Sequence, residues 1–290
     1  MKCPACGYNS NTLFLEGKDY FLTQEIFNIH KCDDCSLLFT IPCPKPDELN
    51  RYYESPDYLS HNTKSQNLKT ILYGAIRKIN ISQKYTRISN LKKPGNILDY
   101  GCGTADFLAH CKIHNWNITG IEPNENARKV ASEKNGILPL PELEIKNLKP
   151  NSFDLITLWH VLEHVPNLNE RIEDFKTLLK DDGVLLIAVP NAMAWDATHY
   201  KDFWAAWDLP RHLYHFTPKS LDSVFARHQL TKLVNLPMKF DAFYICLLSE
   251  QYKKNKLAFP FAFVNGLRSN FSARNNNLNY SSFISVFKKG

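Results

Sequence analysis

The chain has 290 residues, is 44% hydrophobic and carries a formal net charge of +6. That suits one α/β core with an appendage, and no apolar run nears the ~20 residues of a membrane span, which excludes a transmembrane segment. The charge is uneven: Leu59 to Leu98 has eight Lys or Arg and no acid, Gln251 to Gly290 has seven and no acid, and the remainder is acidic.

The chain runs straight into Cys3 with no signal-peptide pattern, so the expected location is cytoplasmic, where paired cysteines more often bind metal than form disulfides. Cys3-Pro4-Ala5-Cys6 and Cys32-Asp33-Asp34-Cys35 are two CxxC knuckles separated by 25 residues. Four thiolates suit tetrahedral zinc, and a segment this small needs such a staple. Residues 1–45 are therefore expected as a zinc ribbon in which Cys3, Cys6, Cys32 and Cys35 hold a structural Zn2+; disulfide or redox pairing is the plainer alternative. Pro42, Pro44 and Pro46 mark a stiff connector. Residues 46–92 read as a helical linker or lid, with Tyr52, Tyr53 and Tyr58 as cover for a pocket and Leu68, Ile71, Leu72, Ala75, Ile76 and Ile79 at helical spacing.

Ile97 to Tyr100 reads as a buried strand running into Gly101-Cys102-Gly103, followed by a helix whose Phe107, Leu108 and Cys111 share one face. Alternate glycines let the backbone bend and a ligand approach closely, and the helix start offers unpaired N–H groups. The next strand, Ile118 to Ile121, ends in Glu122-Pro123. That acid falls about twenty residues after the first glycine, the offset at which a carboxylate accepts both hydroxyls of a ribose. A glycine turn with a capping acid is the plainer reading; loop and acid together favour a nucleoside-type cofactor. Asp106 stands where a dinucleotide loop carries its third glycine and would repel a pyrophosphate, whereas Asp99 and nearby carbonyls suit an amine and a sulfonium.

Asn124 then caps a helix to Asn135, Gly136 ends it, and Ile137 to Leu143 is expected as a third strand weakened by Pro139 and Pro141. Phe153 to Leu158 reads as the fourth strand, delivering Trp159, His160, Glu163 and His164 to the carboxyl edge of the sheet. Trp159 and His160 are expected along the cofactor, and His164 as a candidate base. Asn167 to Lys180 is an amphipathic helix ended by Asp181-Asp182-Gly183, and Val184 to Val189 a central strand.

The aromatic stretch from Trp195 to His215 is either a lid packed on its own core or a substrate pocket formed by Trp204, Arg211 and Tyr214. In the pocket reading Arg211 meets an anion, and His212 or His215 takes a proton. Thr217 and Pro218 start a helix, and Leu230 to Leu236 and Ser281 to Phe287 are two further strands around an insertion at about 237–280. Within it Leu257 to Val264 reads as a buried helix; resting on a lipid-linked substrate or membrane surface is the alternative.

The stretch Asp99-Tyr100-Gly101-Cys102-Gly103 resembles motif I of the class I S-adenosylmethionine (SAM)-dependent methyltransferases, and Ser152 to Val165 resembles that family's fourth strand and following turn. The resemblance spans about residues 93–190, with Ala105 where many members have a further glycine. It implies an α/β, Rossmann-like seven-stranded sheet (order 3-2-1-4-5-7-6) with helices on both faces for residues 93–290. It also implies SAM as cofactor, near Asp99, Gly101, Cys102, Gly103, Glu122, Pro123, Trp159 and His160. In the family's ubiquinone-pathway O-methyltransferases an acid-rich version of the turn goes with a divalent ion; His160, Glu163 and His164 would take that place, although many relatives share the turn without metal.

The reading is O-methylation of a small-molecule, sugar or lipid-linked acceptor, anionic in character given the basic segments, with His164, His212 and His215 as the catalytic candidates and a peripheral membrane contact left open. One rival is an RNA methyltransferase docking through the ribbon and basic segments, which predicts binding that falls steeply with salt. Nucleic acid is not the favoured partner. The other is an NAD(P)-dependent oxidoreductase, which predicts saturation by NADH.

Overall fold

The computed structural model describes residues 1–45, 48, 50–53, 68–275 and 279–290, with backbone alone at 50 and 68–78. In chain order the elements are β1 (Asn11–Lys18), β2 (Ile26–Cys32), β3 (Leu38–Ile41), α1 (Leu68–Ser89), β4 (Asn96–Tyr100), α2 (Asp106–Lys112), β5 (Asn117–Ile121) and α3 (Glu125–Asn135). They continue with β6 (Phe153–Trp159), α4 (Leu168–Leu178), β7 (Leu179–Pro190), α5 (Trp195–Tyr200), β8 (Tyr214–His215), α6 (Pro218–Arg227), β9 (Leu230–Met238), α7 (Asp241–Tyr252), α8 (Ala258–Asn275) and β10 (Ser282–Lys289). Tyr58, expected to cover a pocket, lies outside the described residues.

One sheet has four strands in the order β1-β2-β3-β8, and a second, mixed sheet has six in the order β5-β4-β6-β7-β10-β9. The seven-stranded expectation differs at one edge. Ile137 to Leu143 forms no strand: a single parallel bridge joins Leu140 to Ile121, and Glu142–Asn147 turns into a 3-10 helix. Pro139 and Pro141 lack the N–H groups a ladder requires, while Leu140 between them donates to Gly120 O at 2.8 Å.

The chain divides into two compact units, one of residues 59–159, 172–187 and 286–290, the other of residues 1–58, 160–171 and 188–285. In the first, β4 lies between β5 and β6 in parallel register, Ile97 facing Ile118 on one side and Leu155 on the other. Ile97, Leu98, Leu155, Ile156 and Leu158 are buried, as strands covered on both faces require. Asn124 caps α3 through the Ala127 N–H, and Gly136 ends it at φ +60°. Two boundaries depart from expectation. α4 stops at Leu178, so Asp181-Asp182-Gly183 belongs to β7 instead of ending the helix, and Ile79 on α1 is exposed instead of inward.

In the other unit the four-stranded sheet recruits a strand from far along the chain: Leu38 faces His215 and Phe39 faces Tyr214. Phe27, Ile29 and Leu38 share one core with Trp204, Trp207 and Leu209. Asp19 holds the turn after β1, accepting from the backbone N–H groups of Phe21, Leu22 and Thr23. Thr217 caps α6 in a reciprocal box with Ser220, and Pro218 opens that helix. The insertion before β10 is the helix pair α7 and α8. The run from Leu257 to Val264, expected as a buried helix, is largely exposed, because α8 turns Ala262, Asn265, Gly266, Ser269 and Ala273 inward.

Candidate functional site

The glycine loop follows β4 in the first unit. Gly101 and Gly103 sit at φ +74° and +54°, which a side chain disfavours, and Ala105 shares that left-handed conformation at +58°. Gly101 and Cys102 both donate their N–H to Ile121 O, bending the loop over the end of β5. A Cβ on Gly103 would project into open space. Glu122, which burial pushes upward in pKa, spans the loop: Oε2 accepts from Gly103 N at 2.8 Å and Oε1 from Asn124 N at 2.9 Å. Each oxygen keeps a lone pair for a further donor. Pro123 is exposed, and its carbonyl accepts from Arg128. Gly120 permits close packing, since a Cβ there would meet Cys102 Sγ and Leu108 Cδ1 at 2.8 Å. Burial, then Asp99 and Glu122, push the Cys102 thiol up, so it stays protonated and is no nucleophile.

Asp99 points into the sheet, where its Oδ1 accepts from Thr157 Oγ1 at 2.7 Å. Burial pushes its pKa up to about 6, against the pull of Thr157 and Lys84. Ionising Asp99 in the fold is thus unfavourable as pH rises from about 4 to about 6, and the penalty persists above that range. Asp99→Asn is expected to stabilise the protein at pH 7.5 by roughly 2–3 kcal/mol, a gain that shrinks to nothing towards pH 4; urea unfolding at the two pH values measures it. Trp159, at the end of β6, is buried against the edge of Phe107, with Lys84 Nζ 4.7 Å from its ring centroid.

In the other unit the four predicted thiols converge. Cys3 Sγ lies 3.6 Å from Cys35 Sγ and Cys6 Sγ 3.5 Å from Cys32 Sγ, with all four sulfurs within 4.8 Å of one another. Tetrahedral Zn–S bonds of about 2.3 Å would set sulfurs about 3.8 Å apart, so the cluster fits a structural zinc ion. None of the four cysteines forms a disulfide.

The same unit holds a second polar cluster, built from the turn after residue 159 and from residues 208–212. His160 takes a left-handed φ of +58° and is fixed by its N–H on Ala188 O. Its Nε2 is 3.0 Å from Asp241 and its Nδ1 3.5 Å from Glu163. Burial opposes charge on this ring, but the hydrogen bond to Asp241 and the nearby Glu163 carboxylate prevail and raise its pKa to about 10. His160 is therefore an imidazolium at neutral pH. Glu163 is 1% exposed and neither of its oxygens has a hydrogen bond. Its neighbours are His160 and, at 4.0 Å, His212 Nε2. His164 Nδ1 is 3.0 Å from the Arg211 carbonyl and 3.1 Å from the Tyr53 hydroxyl; His212 Nδ1 is 2.8 Å from the Ala206 carbonyl. A carbonyl only accepts, so both rings carry a proton on Nδ1; His164, whose pKa is lowered to about 4, keeps Nε2 as a lone-pair base, and His212 turns its Nε2 towards Glu163 and Asp208 at 4.0 and 3.9 Å. The rings meet edge to face at 4.6 Å, and with Glu163 they are close enough to share a cation.

His215 sits apart from this pair. Its Nε2 meets Thr40 Oγ1 at 3.0 Å, and because that hydroxyl donates to His212 O, Nε2 is the protonated nitrogen. The remaining nitrogen is buried without a partner.

The three expected substrate residues make their polar contacts inward. Trp204 is buried and donates to Asp196 at 2.7 Å, and Tyr214 donates to Pro166 O. Arg211, expected to meet an anion, is held from inside: it donates to Asp19, Asp208 and the Tyr52 carbonyl at 2.7 to 3.0 Å. These inward contacts belong to a packed core. Arg211→Met would strand the buried Asp19 carboxylate and is expected to lower stability by about 3–5 kcal/mol, measurable as a fall in the urea midpoint. Sequence reasoning passed over Asp208 and Asp241. Asp208 lies three residues before Arg211 and four before His212, and the tight turn between them brings it to both. Asp241 reaches His160 only through tertiary folding.

The profile of the methyltransferase domain family matches residues 73–234. The chain belongs to this family. A ubiquinone biosynthesis O-methyltransferase of Actinobacillus pleuropneumoniae is 35% identical over 106 residues, covering 33% of this chain and 45% of that protein. A demethylmenaquinone methyltransferase of Staphylococcus epidermidis is 28% identical over 134 residues, covering 37% and 56% respectively. The chain thus spans about half the length of the curated relatives it matches. Among solved structures, a SAM-dependent methyltransferase from Archaeoglobus fulgidus superposes with a TM-score of 0.51 at 18% identity, over 77% of this chain and all of that one, a likeness of fold. The methyltransferase domain match takes in the glycine loop, Glu122 and both histidine-bearing segments; the four cysteines and the α7–α8 pair lie outside it.

Proposed function

We propose that the chain is a SAM-dependent methyltransferase acting on an oxygen of a small-molecule, sugar or lipid-linked acceptor. The observation that carries this reading is the Glu122 carboxylate, tied to the Gly103 N–H beside open space at the glycine loop. A carboxylate with spare lone pairs suits the two hydroxyls of a ribose, and the space at Gly103 admits the nucleoside. SAM supplies the activated methyl. Gly101, Gly103 and Glu122 hold the cofactor, and Trp159 contributes an apolar wall against water. His164 or His212 takes the acceptor's proton on Nε2, with the imidazolium of His160 and the carboxylate of Glu163 setting the local charge.

Cys3, Cys6, Cys32 and Cys35 hold one Zn2+ that staples the ribbon; a closed all-cysteine set leaves no open position for catalysis. Release of about one zinc per chain on thiol modification, lost in Cys32→Ser, is the expected result, and metal-free folded protein would remove the ion.

Calorimetry with SAM and with NADH, followed by tritiated-methyl transfer to lipid, nucleotide-sugar and RNA fractions, tests the activity. Heat with SAM and label in a small-molecule or lipid fraction support it. Heat with NADH alone, or label confined to RNA, overturns it.

A further inference from the structure

An ordinary surface helix buries its large apolar residues and shows water its small and polar ones. Helix α8 does the reverse. Its inward positions are Ala262, Asn265, Gly266, Ser269 and Ala273, packed with α7. The fit is close: a Cβ on Gly266 would sit 2.6 Å from the Phe243 ring. Small residues there let the two backbones approach, which displaces the bulky side chains outward. Phe259, Phe263, Leu267 and Phe271 recur every fourth residue along the exposed side, and Phe261 and Val264 flank them. The helix is about 27 Å long, so these six side chains form a continuous apolar ridge. Phe259 is 75% exposed and Phe271 70%.

Such a ridge is unfavourable in water unless something covers it, and its charged surroundings say what. Lys253, Lys254 and Lys256 stand exposed just before the ridge, and Arg268 and Arg274 stand exposed along α8. From Gln251 to Gly290 there is no acid. At one end the ridge meets a cleft of about 410 Å³ lined by Trp195, Leu267, Phe271, Ser272 and Arg268, apolar walls with a single cation among them. A second copy of this chain docked ridge to ridge would bring like charges face to face, since a two-fold interface pairs a patch with itself. Aromatic side chains framed by lysine and arginine match acyl chains below an anionic headgroup layer.

We propose that α8 seats this protein on an anionic lipid bilayer, with the Phe259–Phe271 ridge in the acyl boundary and Lys253, Lys254, Lys256 and Arg268 on the lipid phosphates. The docking does not depend on the methyl-transfer reading. It is tested by co-sedimentation of the full chain with vesicles of phosphatidylcholine alone and with 30% phosphatidylglycerol, in 0.1 M and 0.5 M salt. The expected result is at least tenfold tighter binding to the anionic vesicles, weakened by salt. Both Phe259→Ser/Phe271→Ser and Lys253→Glu/Lys254→Glu/Lys256→Glu should reduce it tenfold or more, with circular dichroism showing the variants folded. No binding to anionic vesicles at 0.1 M salt, or binding that either folded variant retains in full, overturns the proposal. So does a concentration-dependent dimer that dissociates in the phenylalanine variant without vesicle binding, which would assign the ridge to a second copy.

Discussion

Replacing Glu122 with alanine is expected to weaken SAM binding about 10²- to 10⁴-fold by calorimetry. Hydrogen bonds from two hydroxyls to a carboxylate contribute about 1.5–3 kcal/mol each, and about 1.4 kcal/mol is a factor of ten. Alanine also leaves the Gly103 and Asn124 N–H groups without their acceptor, so the loop loses its tie as well as its ligand contact. Glu122→Gln separates these effects. An amide oxygen can still accept from one backbone N–H, but its –NH2 end cannot accept from a hydroxyl, so an intermediate loss is expected. Equal affinity in Glu122→Ala and the parent protein would take the carboxylate out of cofactor binding.

Such predictions are possible because the cofactor loop is local. A strand, two glycines at left-handed φ, a second strand and its terminal acid are all encoded by neighbours in sequence, and the structure joins them through hydrogen bonds spanning about one strand–helix–strand unit. The convergence of the cysteines was legible for a different reason, since the doubled CxxC spacing is itself a geometric instruction. The aromatic stretch was not. Trp204, Arg211 and Tyr214 have the composition of a pocket, and only long-range partners such as Asp19 and Pro166 show that they serve a core. Composition names the side chains available, while sequence distance hides whether a carboxylate nearly two hundred residues away reaches the guanidinium first. Helix α8 misled in the opposite sense, because its apolar content suggests burial until Gly266 and Ser269 are seen to own the inner face. The weakened third strand lies between these cases: its two prolines announced trouble, and one residue between them keeps the only bridge.

Removing the His164 and His212 imidazoles is expected to lower turnover while leaving SAM affinity unchanged. In His164→Gln and His212→Gln, the variant that loses the working base should fall about 10²- to 10⁴-fold in kcat, the range of general-base catalysis. The pH profile then tests His164 as the base. Burial first, and the nearby His212 second, lower the His164 pKa to about 4, so this ring stays neutral well below the usual histidine range. A reaction using His164 should therefore keep its kcat/KM down to about pH 5, without the acid limb near 6.5 that an unperturbed histidine gives. Stability carries the matching sign: the folded pKa lies below the unfolded one, so the neutral ring's contribution is present above about pH 6.5 and is lost as pH falls towards 4. His160 cannot substitute as the base, because Asp241 and Glu163 keep it protonated up to about pH 10. If both glutamine variants turn over at the parent rate, the proton leaves by another route and these residues only shape the fold.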